Sequence, residues 1–336
     1  MICQRWRVLV RLSSAVFVTL ILFWVPVQAA WLSDTQPIMG TRVHVEFWLD
    51  DADPRGPLLL ASAMEEMLRI DFAFSPYKED SELSRMNREA PKGWVPISPE
   101  MKVLLDRSRE ASERSNGAFD ITFASVGRYY DYRAGKVPTD EERKAITAID
   151  YHYVVLSDDG SQVHYAKPEV YVDLGGIAKG HAVDQVTALL RKAGVTMASI
   201  SAGGDSRIIG DRQGEPWTVG VRDPRNKDGV AVLLPLIDTA VSTSGDYERF
   251  FEKDGVRYHH ILDPDTGNSA RGSLSVTIIG PNATLTDALS TTVFVMGPEQ
   301  GLKLINSIAG VDAIIITEAG HMLYSDSLTP LTQPAH

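Results

Sequence analysis

The sequence predicts a mixed α/β chain of the α+β kind, one large domain of two lobes in which mostly antiparallel sheets are flanked by helices. Three observations predict it. Strand-like and helix-like segments follow one another without the regular strand-then-helix period of a doubly wound or barrel sheet. No Pro-rich, Gly/Ser-rich or charge-block linker divides residues 31–330, and there is no internal repeat. Finally, 44% hydrophobic and 23% charged residues is the balance of a globular protein with a substantial core.

The elements follow in order. Arg42 to Leu49 alternates, with Val43, Val45, Phe47 and Leu49 on one face and Arg42, His44, Glu46 and Trp48 on the other, as in a half-buried strand. Leu58 to Ile70 has helical apolar spacing. Ser98-Pro99-Glu100 caps a second helix with a stripe of Met101, Leu104, Leu105 and Ala111, closing at Asn116-Gly117. Strands are expected near Tyr153–Leu156, Tyr171–Leu174, Ala198–Ser201 and Trp217–Val221, around a helix at Ala178–Ala193 that Gly194 stops. A strand at Ser275–Ile279 leads to helices at Leu285–Met296 and Glu299–Ile308. A terminal hairpin runs through Ala313–Thr317 and Met322–Tyr324.

The N-terminus has the form of a secretory signal peptide over residues 1–29. Arg5, Arg7 and Arg11 precede an apolar run from Ala15 to Val27, and Val27-Gln28-Ala29 offers small residues for cleavage. An uncleaved single-span anchor is the alternative, since the run is near the short end of what crosses a bilayer. Either way the body is expected to be exported. The lone cysteine, Cys3, lies before the apolar run, so the mature chain has no disulfide, zinc–thiolate site or cysteine nucleophile. Removing three arginines and no acidic residue takes the formal charge from −11 to −14, which argues against nucleic acid as a partner. An acidic protein that handles phosphate needs a local cation, from a metal or a lysine near a helix start.

Val172-Asp173-Leu174-Gly175-Gly176-Ile177-Ala178-Lys179-Gly180 joins a strand end to a helix start through paired glycines, so backbone can approach an anion closely. It fits neither the P-loop nor the dinucleotide fingerprint, and a tight turn is its plainer reading. In Thr286-Asp287-Ala288-Leu289-Ser290-Thr291, Asp287 and Thr291 share one helix face a turn apart, hard oxygens that suit magnesium. Helix capping is the plainer reading there. Ser242 to Tyr247 and Tyr258 to Gly267 form a polar cluster in which an imidazole, His259 or His260, could move a proton. Met39-Gly40-Thr41, Ser75-Pro76-Tyr77, Gly117-Ala118-Phe119-Asp120 and Ser201 to Asp205 are turn-like, with Tyr77 and Phe119 available as ring walls.

Taken together and in this order, Met39-Gly40-Thr41, Gly117 to Asp120, Val172 to Gly180, Ser244 to Tyr247, His259 to Gly267 and Asp287 to Thr291 resemble the FAD:protein FMN transferases, the ApbE-type family. The resemblance spans about Met39 to Met296. It implies an ApbE-like, T-fold-like arrangement and a magnesium-assisted attack by a threonine hydroxyl of an acceptor flavoprotein on the FMN phosphorus of FAD, releasing AMP. It further implies that Asp287 and Thr291, with a carbonyl near Gly176, hold magnesium, and that Met39, Tyr77, Ala118, Phe119, Asp120, Asp173, Lys179 and Ile261 contact FAD. His260 would be the base, with Asp246 either supporting the contacting residues from behind or positioning the threonine. Acceptors would be subunits of membrane redox complexes, and the location the periplasm, with a membrane tether if the leader stays. The sequence lacks the lipid-anchoring cysteine that some exported members carry after the leader, and it has Thr286 where many members have Ala. An FAD pyrophosphatase and a non-catalytic flavin carrier are the competing readings.

Overall fold

The computed structural model describes residues 30–49, 53–226 and 228–328; residues 1–29, where a leader is expected, and with them Cys3, lie outside these. The main sheet has eight strands: β1 (Ala30–Ile38), β2 (Thr41–Leu49), β3 (Ala198–Ala202), β4 (Asp205–Ile209), β5 (Ala240–Gly245), β6 (Ser273–Gly280), β7 (Asp312–Thr317) and β8 (Met322–Tyr324). Their order across the sheet is their order in the chain, and each neighbouring pair is antiparallel. The sheet is therefore a single meander with other elements inserted into its connections, in line with the expected α+β class.

The longest insertion, between β2 and β3, is the second lobe. It carries α1 (Gly56–Phe74), α2 (Glu82–Glu89), α3 (Pro99–Arg114), a small sheet of Val95–Pro96, Val154–Leu156 and Gln162–Tyr165, and α4 (Ala178–Lys192). Helices α5 (Ala283–Met296) and α6 (Pro298–Asn306) join β6 to β7. The alternation of β2 has its expected result: Val43, Val45 and Phe47 are fully buried in one core with Met64, Met67 and Ile70 of α1, Leu104 of α3 and Val186 of α4. Each such side chain contributes about 1.5–3 kcal/mol. The shared core makes the two lobes one unit. The other sheet face is covered by the hairpin of Trp217–Arg222 and Val230–Leu236, whose Val221 and Leu234 pack with Ile279 and Ile314. Among the described residues no helix is long and apolar enough to cross a membrane.

Several elements, α2, β4 and β5 among them, are not expected from the sequence, and two differences have a clear physical reason. The edge strand β1 was not foreseen, because Ser33-Asp34-Thr35 and Pro37 break its alternation; it is fixed by pairing all nine residues with β2, and proline is tolerated on an edge. Conversely, Tyr171–Leu174 is extended but is no strand. The Asn87 side chain takes the place of a neighbouring strand: its Oδ1 accepts from Val172 N and its Nδ2 donates to Val172 O, both at 2.8 Å. Asp173 N then donates to Ile121 O at 3.0 Å.

Helices α4 and α5 cap each other. Ile177, at the start of α4, supplies no side-chain cap; Asp287 of α5 instead accepts from Gly180 N at 2.9 Å. In return Asp184 of α4 accepts from Ala283 N, Thr284 N and the Thr284 hydroxyl at 2.9, 2.8 and 2.6 Å. Each carboxylate thus meets free N–H groups and the positive end of a helix. Close approach requires Gly180, where a Cβ would lie 2.2 Å from Ala283 O and 2.8 Å from Asp287 Cβ. Glycine-to-alanine inside a helix ordinarily stabilises by about 1 kcal/mol. Here Gly180→Ala is expected to destabilise by roughly 1–3 kcal/mol. A thermal scan showing an unchanged or raised midpoint would contradict this contact.

Candidate active site

The capped ends of α4 and α5 bring the glycine-rich segment against Asp287 and Thr291. A Cβ at Gly176 would lie 3.3 Å from Thr291 Oγ1 and 3.2 Å from Phe119 Cε2, so these three expected residues converge. Hydroxyls of β5 face the same helix: Ser244 Oγ is 2.8 Å from Ser290 Oγ and 3.5 Å from Thr291 Oγ1, and Ser242 Oγ is 2.8 Å from Thr286 Oγ1. Thr286 is thereby a buried hydrogen-bonding partner of the sheet.

Asp287 is 2% exposed. Burial, reinforced by the neighbouring Asp205, pushes its carboxyl up to about 7, although Lys179 and Gly180 N pull the other way. Lys179 Nζ lies 2.6 Å from Asp205 Oδ2 and 3.3 Å from Asp287 Oδ1. Burial works against its ammonium, but the Asp205 and Asp287 charges outweigh it and hold the pKa above the usual lysine value. Lys179 was expected to lend its charge to a diphosphate; two carboxylates already take it up. Beyond its place in Ser201 to Asp205, the sequence does not mark Asp205 as a site residue. The available signal was Gly203-Gly204, a pair that lets β3 and β4 turn tightly: a Cβ on Gly204 would strike Thr243 O at 2.5 Å.

The other expected residues divide into those at the cleft and those taken up elsewhere. Asp173 is half-buried, accepts from Gly175 N at 2.6 Å, and has its carboxyl raised by burial. Its charge acts on Tyr77, which is 83% exposed, an open ring at the rim. Met39 (φ 55°) and Gly40 (φ 67°) form the β1–β2 turn. Phe119 is 3% exposed, a wall packed under Gly176 and no free stacking surface, and Ala118 precedes it. The Asp120 carboxylate accepts from Thr122 N, the Thr122 hydroxyl and Tyr151 N, and so holds two loops together. Ile261 is buried at 6% and packs in the core around α5.

The two histidines separate clearly. His259 is 1% exposed, its Nε2 donates to Ala270 O at 2.9 Å, and its ring packs edge-on against Phe294. His260, just past the strand Val256–His259, is half-buried and its ring makes no hydrogen bond among the described residues, although the Nδ1 of both rings is buried without a partner. Burial, then the Arg249 charge, lowers His260 to about 3, and burial lowers His259 to about 4. Both rings are neutral at neutral pH. Asp246 is not joined to either: Arg225 holds its carboxylate through two 2.9 Å bonds and Arg257 adds a third at 3.3 Å. This group borders a cleft of about 670 Å³ with Arg271 and Glu318, which includes none of the residues around Asp287.

The depressed imidazoles have a consequence for stability. Below pH 6.5 the unfolded chain takes up protons that the folded rings refuse until about pH 3–4, so they cost stability as pH falls. The raised carboxyls of Asp120 (about 6) and Asp287 act oppositely, stabilising at low pH and losing that as pH rises. They cancel in a comparison of proteins. Relative to a His259→Gln/His260→Gln variant, the wild type is expected to lose unfolding free energy from pH 6.5 to 5. A difference independent of pH in urea titrations would contradict neutral burial.

The family model of the ApbE family matches residues 39–315. The chain belongs to the ApbE family. A protein from Vibrio cholerae named FAD:protein FMN transferase is 32% identical over 87% of this chain and 89% of its own length. One of the same name from Treponema pallidum is 34% identical over 84% of each. The solved ApbE protein of Thermotoga maritima superposes with a TM-score of 0.82 at 37% identity, over 91% of this chain and all of its own. The flavin transferase ApbE of Vibrio cholerae gives 0.80 at 28%, over 90% and 99%. The family match thus encloses the Met39–Gly40 turn, both histidines and the Asp287–Thr291 face.

Proposed function

We propose that this protein is a FAD:protein FMN transferase. The observation that carries the reading is the convergence of Gly176, Asp287 and Thr291 at the mutual capping point of α4 and α5, with the unpartnered imidazole of His260 in the same family-matched fold. In the reaction a threonine Oγ of the acceptor bonds to the FMN phosphorus, the bridging phosphoanhydride bond breaks, and its oxygen leaves with AMP. The threonine proton passes to the His260 imidazole, which is neutral and only half-buried.

The donor set fits magnesium. Among the described residues no three His, Cys, Asp or Glu converge on a metal site, so a cation would rely on mixed oxygens: the Asp287 carboxylate, the Thr291 hydroxyl and a carbonyl near Gly176. Such hard donors, few in number, suit an ion that keeps several waters. A carboxyl raised by burial is also one that a cation would stabilise. Bound there, magnesium would neutralise charge on the diphosphate. Lys179 keeps Asp205 and Asp287 from repelling each other, Asp173 fixes the Gly175 turn, and Tyr77 offers a ring to the isoalloxazine at the rim. FAD brings negative charge beside His260, which raises its basicity above that of the empty site. Arg225 and Arg257, by anchoring Asp246, hold the segment between β5 and the histidines, so Asp246 acts through position.

The leader supports export to the periplasm, with tethering to the membrane if it is uncleaved, and hence acceptors that are exported threonine-bearing subunits of membrane redox complexes. The test is a chromatographic count of AMP and free FMN with and without acceptor. The transferase releases AMP in step with flavinylated acceptor. AMP and FMN released at the same rate without acceptor would make hydrolysis the main activity and overturn the proposal.

A further inference from the structure

The charge balance of the cleft leaves a place for one more cation. Asp173, Asp205 and Asp287 bring three carboxyl groups, and Lys179 answers the last two through direct contacts. A bound diphosphate adds further negative charge, which one divalent ion offsets only in part. Arg249 stands at this point. It lies in the turn between β5 and the hairpin Phe250–Lys253/Val256–His259, and its carbonyl accepts from His260 N at 3.1 Å, the rung next to the Phe250–His259 pair. Arg249 and the unpartnered imidazole therefore share one main-chain support.

The guanidinium reaches across the cleft mouth. Its Nη2 would be 3.0 Å from a Cβ at Gly40, so it lies over the β1–β2 turn beside Met39. Its charge acts on Asp173, Tyr77, Tyr132 and His260, groups from four separate segments that surround the opening. None of them is an ion-pair partner: the Asp173 carboxylate is turned to Gly175 N. Among the described residues no carboxylate or carbonyl accepts a hydrogen bond from the Arg249 side chain. Its sequence neighbours differ, since Arg222, Arg225 and Arg257 are paired with Glu248, Asp246 and Glu252. A fork of donors with no protein acceptor, aimed over a site that takes a dinucleotide, is suited to a phosphate oxygen.

We infer that Arg249 is a substrate-binding residue that grips a phosphate oxygen of the FAD diphosphate, taking the part that Lys179 is too committed to play. The assignment rests on the transferase reading for the identity of the ligand. It selects FAD over flavins that lack phosphate, since riboflavin offers the guanidinium no anionic oxygen.

The test compares FAD with riboflavin, by quenching of flavin fluorescence, in the full chain and in Arg249→Gln and Arg249→Lys, each with magnesium and with a chelator. A charge-assisted bond contributes about 1.5–3 kcal/mol, so Arg249→Gln should weaken FAD roughly 10- to 100-fold at a conversion of about 1.4 kcal/mol per tenfold. Riboflavin should bind as before, and Arg249→Lys should recover part of the loss. Equal weakening of both ligands would make Arg249 a support of the turn and overturn the inference, as would FAD binding that Arg249→Gln leaves intact. A wild type that binds FAD but transfers no FMN defeats the transferase reading instead, and the FAD-to-riboflavin ratio still decides Arg249.

Discussion

Asp287→Ala and Asp287→Asn are both expected to lower FMN transfer by roughly 10²–10³-fold or more, the scale of losing one preorganised electrostatic contact at a reacting centre. They should differ in stability. Asp287 accepts from Gly180 N at 2.9 Å and, in the proposed site, would also supply charge to a cation. Asparagine keeps an oxygen for that N–H, whereas alanine leaves the buried donor unpaired, at a cost of about 1–3 kcal/mol. Alanine also releases Lys179 from one of its two partners, whereas asparagine removes only the charge facing it. Thermal scans with flavinylation rates separate the effects: Asp287→Asn should melt near the wild type yet transfer poorly, and its magnesium dependence should weaken. Transfer within tenfold of the wild type by Asp287→Asn would remove the carboxylate from the mechanism.

His260→Ala carries the second large effect, a fall of roughly 10²–10⁴-fold in the transfer rate, the usual contribution of a general base. FAD affinity should change little, because the proposed base would act on the acceptor hydroxyl. His259→Gln is the control. Its ring donates to Ala270 O and packs on Phe294, so its loss should lower the melting point more than the rate. Single-turnover rates at saturating FAD distinguish the two. Equal rate losses from both substitutions would contradict the division between a packed and a reacting imidazole.

Local patterns in the sequence revealed what depends on neighbours within a few residues. The alternation of Val43, Val45 and Phe47 places β2, Ser98 caps α3 by accepting from Met101 N at 3.1 Å, and four-residue spacing puts Asp287 and Thr291 on one helix face. Tertiary partners were hidden. Tyr171–Leu174 reads as a strand because its apolar residues alternate, and only the remote Asn87 explains why it pairs with a side chain instead. The exchange of caps between Asp184 and Asp287 needs two helices about a hundred residues apart to cross at Gly180. The engagement of Lys179 by Asp205, of Asp246 by Arg225 and of Asp120 by Tyr151 N likewise joins distant segments. At the candidate site the residue types were therefore legible where the spacing was short, and their electrostatic state was not.

The central claim is that this chain moves FMN onto a threonine. The direct measurement is intact mass of a threonine-bearing acceptor, a subunit of a membrane redox complex, after incubation with the protein, FAD and magnesium. The expected product is heavier by one FMN less one water, shows the mass on the threonine after proteolysis, and disappears with Asp287→Asn. An acceptor of unchanged mass, with FAD bound and each divalent metal tried, would contradict the account.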